Sequence, residues 1–142
     1  VNQETSQLIE EADIICYAPG SFYSSLMANL LPEGVAQAVA KASCPKIFIP
    51  NIGVDPEQLG MDFVIMIETL IAQLRRGGAS APVADLLNYV VIDVDRSHYP
   101  YEIDSGLLKT LGIELLELPL ITKLSAPYYD DDRLAQVLLS LA

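Results

Sequence analysis

The residues of this 142-residue chain whose types could do chemistry are mainly hydroxyls, amides and carboxylates, beside a single histidine and two cysteines. The stretch Ala18-Pro19-Gly20-Ser21-Phe22-Tyr23-Ser24-Ser25 follows a short apolar run, Asp13 to Tyr17. It leads into a segment with Phe22, Leu26, Leu30 and Leu31 at helical spacing, which reads as strand, tight turn, helix. Gly20 permits close approach to the backbone, and Ser21, Ser24 and Ser25 bring three hydroxyls to the positive end of the helix. Such a corner can hold a phosphate through main-chain donors without a lysine. The same residues also make an ordinary turn with Ser21 as the helix cap.

A second turn, Asn51-Ile52-Gly53-Val54-Asp55-Pro56, sets an amide, a glycine and a carboxylate at the end of the next apolar run, beside the first turn if the two strands are adjacent. Asn51 could read a base or a sugar hydroxyl, or satisfy its own backbone. Asp93 and Asp95, two apart, would share a face and could hold a divalent cation, or be solvated carboxylates at a strand end. His98 lies in a polar turn without an evident nucleophile beside it and reads as a surface residue or a general base. Asp130 to Asp132 precede Leu134, Val137, Leu138 and Leu141 and read as a helix start. Cys16 and Cys44 lack metal-ligand or redox spacing and read as reduced thiols.

These residues need a frame, and the chain alternates to supply one. Strands are expected over Asp13 to Tyr17, Lys46 to Pro50, Tyr89 to Val94 and Ile113 to Leu118. Helices are expected after Ser21, over Met61 to Arg76, near Ser105 to Leu111 and from about Asp132. Successive βα units imply an α/β fold, a Rossmann-like three-layer sandwich with a mainly parallel sheet of about four strands in one domain over 1–142. Gly77 and Gly78 close the long helix, and Gly77 to Pro82 forms a loop. That helix carries Ile65 and Met66 outside its main apolar stripe, which fits either a buried central helix or a face covered by a second subunit, so a homo-oligomer is expected.

Composition narrows the partners. With 51% hydrophobic residues the chain can build a core, and its apolar runs fall short of the roughly 20 residues that cross a bilayer. Eight basic against 19 acidic residues, a formal charge of −11, argue against nucleic acid. No charged start followed by an apolar leader opens the chain, and it begins at Val1 rather than methionine. A cytoplasmic piece of a longer protein is expected.

Glu11-Ala12-Asp13-Ile14-Ile15, the turn from Ala18 to Ser25 and Asn29-Leu30-Leu31 followed by Gly34 together resemble the CofD-like superfamily, and within it the YvcK, or gluconeogenesis-factor, branch. The similarity runs on through Lys46 to Asn51, Leu108 to Leu118 and Tyr129-Asp130 with Leu134-Ala135. It implies a Rossmann-like fold and a phosphate-bearing ligand. CofD proteins transfer a phospho-three-carbon acid from a guanylylated donor to a deazaflavin in coenzyme F420 synthesis, using Mg²⁺. The YvcK branch is associated with nucleotide-sugar binding and with regulation of cell-wall and carbon metabolism.

Carried over residue by residue, Pro19, Gly20, Ser21, Tyr23, Ser24, Asn29 and Asn51 become the ligand-binding candidates, with catalytic residues unassigned. Ala18 stands where the family has glycine, and the segment from Asn51 to Asp62 lacks the family's Met-Thr-Gln-Pro-Gly-Glu-Thr. The glycine-rich turn that opens the family and its nearby acidic residues have no counterpart, so the chain resembles a C-terminal half. The resemblance implies binding of a nucleotide or nucleotide sugar; the alternatives are a CofD-type transferase and a non-catalytic dimerisation module. Mg²⁺ or the missing half would have to neutralise the ligand. All of this requires helix-start amides that are not already spent inside the protein.

Overall fold

A computed structural model describes residues 1–76 and 80–142. Four strands form one sheet in the order β1 (Ile15–Tyr17), β2 (Lys46–Phe48), β3 (Tyr89–Asp93), β4 (Glu114–Leu118), and each neighbouring pair is parallel. The register sets Tyr17 beside Phe48, Phe48 beside Val90 and Asp93 beside Leu118, so the carboxyl ends of the strands share one rim. The Rossmann-like α/β expectation holds.

The helices in chain order are α1 (Gln3–Glu10), a π-helical turn (Phe22–Met27) running directly into α2 (Ala28–Leu30), α3 (Val35–Lys41), α4 (Phe63–Arg75), α5 (Ser105–Leu111) and α6 (Asp131–Leu141). Because strand order follows chain order, right-handed crossovers bring the connecting helices to one face. There Phe22, Leu26, Val39, Phe63, Ile67 and Leu70 pack on Phe48, Val90 and Ile92. Alternation along the strands turns Ile47 and Val91 the other way. They lie with Ile49 and Leu120 under Leu134, Val137, Leu138 and Leu141 of α6, the third layer.

Local chemistry sets the element ends. Asp62, Asp104 and Asp130 cap α4, α5 and α6 by accepting from the amides of Ile65, Leu107 and Arg133. Gly112, at φ 75°, ends α5 in the left-handed region and lets Ile113 N–H reach back to Leu108 O before β4 begins. α4 buries Phe63, Met66, Ile67, Leu70, Ile71 and Leu74 within this domain, so Met66, one of the two residues outside the expected stripe, is core. Ile65 alone of that pair stays exposed. The glycine pair assigned as its stop, and the first part of the Gly77 to Pro82 loop, fall outside the described residues. Among the described residues no helix is long and apolar enough to cross a membrane.

Candidate functional site

Parallel pairing of β1 with β2 brings the two turns at their carboxyl ends together. In the first, the chain leaves Tyr17 through Pro19 and Gly20 into a helical run over 22–30. Gly20 packs closely: a Cβ there would stand 3.3 Å from Ser25 Cβ, tight enough that Ser25 would have to give by a few tenths of an ångström. The run opens with Ser25 N–H and Leu26 N–H both donating to Ser21 O, at 3.0 and 3.2 Å. The longer of these closures is the π step. It leaves the amides of Phe22, Tyr23 and Ser24 without an intrahelical acceptor, as at any helix start.

Ser21 occupies the cap position but makes no side-chain cap bond. Capping comes instead from the second turn. Phe22 N–H donates to Asp55 Oδ2 at 2.9 Å, and the Tyr23 and Ser24 amides both donate to Glu57 Oε2, each at 2.9 Å. Three successive main-chain donors are therefore spent on two carboxylates from a neighbouring loop, so the expectation of unspent helix-start amides fails for Phe22, Tyr23 and Ser24. The remaining donors of the corner are the N–H groups of Gly20 and Ser21, which meet no protein acceptor among the described residues, and the hydroxyls of Ser21 and Ser25, since that of Ser24 is engaged by Glu57.

Asp55 and Glu57 differ in kind. Asp55 is buried and also accepts from Glu57 N–H at 2.9 Å, capping the short 3₁₀ turn Pro56–Gln58. Glu57 reaches over the surface, and its carboxyl is held below the usual glutamate range by the Ser24 amide, then that residue's hydroxyl, then the Tyr23 amide. Residue types alone marked Asp55 only as a carboxylate at the second turn and passed over Glu57. The usable signal was Asp-Pro-Glu after the second strand, an N-cap pattern whose spare acceptors face the neighbouring turn.

The sequence-derived candidates divide. Gly20, Ser21, Tyr23 and Ser24 form the corner, with Pro19 leading into it. Asn29 lies further along the helix, exposed, with Nδ2 donating to Ser25 O at 2.6 Å. Asn51 follows β2; its Oδ1 accepts from Ile52 N–H at 3.2 Å, and its carbonyl accepts from Tyr101 O–H at 3.4 Å. A small cavity of about 170 Å³, lined in part by Val54, Asp55, Gln58, Met61 and Tyr101, adjoins the second turn.

Of the acidic pair at the end of β3, Asp95 is the exposed carboxylate expected, and Asp93 requires correction. Asp93 is neither a cation ligand nor a solvated strand end. It is buried, and its oxygens accept from the amides of Asp95, Leu120 and Ile121 at 2.8, 2.7 and 2.8 Å. The chain turns back after β4 and buries amides that need an acceptor, which Asp93 supplies. Asp95 points outward to cap Arg96–His98 and accepts from Ser97 Oγ at 2.6 Å. His98 is partly exposed, with Nε2 3.8 Å from Asp95 Oδ2. Among the described residues no group of three or more His, Cys, Asp or Glu side chains could hold a metal ion.

Behind Asp93, its own amide N–H donates to the Tyr99 hydroxyl oxygen at 2.8 Å, and the Tyr99 and Tyr129 hydroxyls lie 2.9 Å apart. Tyr129 O–H also donates to Pro50 O at 2.8 Å, tying the residue before Asn51 to the loop after β4. The two cysteines are free thiols, and burial raises the Cys16 thiol to about 11.

Comparison with known proteins bears on this site. The 2-phospho-L-lactate transferase CofD family profile matches residues 1–121. The gluconeogenesis factor of Bacillus subtilis is 27% identical over 145 residues, covering 97% of this chain and 45% of that protein. A putative gluconeogenesis factor from Nostoc is 44% identical over 48 residues, 34% of this chain and 10% of that protein. In fold, a UPF0052-family protein from Bacillus halodurans superposes with a TM-score of 0.76 at 19% identity, over 97% of this chain and 46% of that one. The chain spans about half the length of the relatives it matches from end to end.

Proposed function

This chain belongs to the CofD family, and on that footing we propose that it binds a phosphate-bearing small molecule, a nucleotide or nucleotide sugar, at the turn from Pro19 to Ser24. One observation carries the reading: the Tyr23 and Ser24 amides converge at 2.9 Å on one oxygen of a single side chain, Glu57 Oε2, an oxyanion position that a ligand's phosphate can take over, whereas Phe22 N–H stays with buried Asp55. Phosphate enters by taking the Tyr23 and Ser24 amides and the Ser24 hydroxyl from Glu57 and adding the unpaired Gly20 and Ser21 amides and the hydroxyl of Ser21. Asp55 keeps Phe22 N–H and holds the turn in shape.

The family implies Mg²⁺. The residues present do not build a site for it, because Asp55 and Glu57 are both engaged by amides and no larger ligand cluster occurs among the described residues. The ion enters this reading only as a counter-charge carried by the ligand's own phosphates.

Titrating the ¹⁵N-labelled chain with UDP-glucose, GDP and 2-phospholactate, with and without Mg²⁺, tests the proposal. The amides of Gly20, Ser21, Tyr23 and Ser24 should shift on addition of at least one of them. Silence at all four with every compound removes the reading. The matching family's own description favours a second reading, transfer of a phospho-three-carbon acid to a deazaflavin by positioning and charge stabilisation. Formation of the transferred product from a guanylylated donor would favour it over binding alone.

A further inference from the structure

We infer that Glu57 is a displaceable internal anion that gates the Tyr23–Ser24 amides and selects for phosphate over simple carboxylates. The inference rests on the phosphate reading above and deepens it.

Two independent features of the Pro56–Gln58 turn point to a closed position that can be given up. Its grip on the first turn is one side chain, since Glu57 Oε2 receives both surface amides while Asp55, one turn deeper, holds the buried one. The second feature is an unmade bond. Gln58 is 8% exposed, its Nε2 donates to Met66 Sδ at 3.4 Å, and its Oε1 is buried with no partner. A buried orphan acceptor is a standing cost of the closed turn, and opening relieves it by hydration. Val54 and Leu59 on the turn's flanks are 75% and 78% exposed, so the hold that remains there is backbone, Gln58 N–H to Asp55 O and Met61 N–H to Gln58 O, both at 2.9 Å. Asp55 is the fixed point about which Glu57 can swing.

A tethered carboxylate competes with any free anion at an effective concentration on the order of millimolar. Acetate or lactate offers the same group without the tether and loses. A phosphate offers more oxygens and up to two charges, and reaches the Gly20 and Ser21 amides as well. The gate therefore lowers affinity for every anion but hardest for monocarboxylates.

The test is an NMR titration of the full 142-residue chain with inorganic pyrophosphate and with acetate, in wild type, Glu57→Gln, Gln58→Met and the control Glu68→Gln. Glu68 is an exposed acid on α4, so its variant removes the same charge away from the corner. Glu57→Gln should bind pyrophosphate about 3- to 10-fold more tightly, the factor by which a mostly closed gate weakens apparent affinity. It should also gain response to acetate at the Tyr23 and Ser24 amides. Gln58→Met, which removes the orphan acceptor and favours the closed turn, should weaken pyrophosphate about 2- to 3-fold. Equal affinity in wild type and Glu57→Gln overturns the gate while leaving the phosphate reading intact. Equal tightening in Glu57→Gln and Glu68→Gln also overturns it, since overall charge then explains the gain. Binding by none of the four overturns both.

Discussion

Asp93 anchors the rim of the sheet by gathering three amides onto one buried carboxylate. Asp93→Asn replaces an acceptor with an NH₂ that faces an amide donor. It should cost about 1.5–3 kcal/mol, the range for a hydrogen bond to a charged group, read as a lower urea midpoint at unchanged slope. Glu57 presents the opposite case, an exposed carboxylate with the same type of partner. Its folded pKa lies below the reference value of 4.5. The contact is fully present above the unfolded carboxylate range and is lost as pH falls through the lower, folded value. The Tyr23 and Ser24 amide resonances should titrate together with a midpoint below 4.5, and a midpoint at or above it would mean the two bonds are not held in solution. Cys16, raised to about 11 by burial, should resist iodoacetamide at pH 8 in the native chain and react on unfolding.

At the scale of elements, what could be read from residue types follows how each element buries itself. α4 was legible because a long apolar stripe must face a core; five of its six buried residues lie on that stripe, Met66 being the sixth, and Leu70→Ala should cost about 2–5 kcal/mol in a thermal or urea melt. α5 was legible at both ends, since Asp104 caps it and Gly112 stops it. α1 and α3 left no comparable trace. α1 fully buries no residue, and α3 is a short Val-Ala run that meets α1 and α4 through small side chains. The first turn was legible as strand, turn, helix, and Ser21 does stand at the cap position. Its true capping groups were not, because Asp55 and Glu57 lie some thirty residues away and meet it only through β1–β2 pairing. A similar distance hid the role of Asp93, whose partners arrive from beyond β4.

The whole molecule brings a different force to the same corner. A formal charge of −11 surrounds a site proposed for anions, and eight basic side chains are too few to reverse that field. Two of them, Lys41 and Arg96, are paired at the surface with Glu10 and Glu117. Local donors must therefore hold a phosphate that long-range electrostatics repels. The two ranges respond differently to salt. Screening acts over about 10 Å at 0.1 M ionic strength, so it weakens repulsion from distant carboxylates more than contacts with amides at hydrogen-bond distance. The association rate of pyrophosphate should thus rise as sodium chloride goes from low to physiological concentration, measured by NMR line shape on the Tyr23 and Ser24 amides. That is the reverse of the salt dependence of a protein that recruits phosphates through lysine and arginine. A rate that falls with salt would mean that the corner faces a cationic surface, and the account of main-chain donors acting against the net field would not stand.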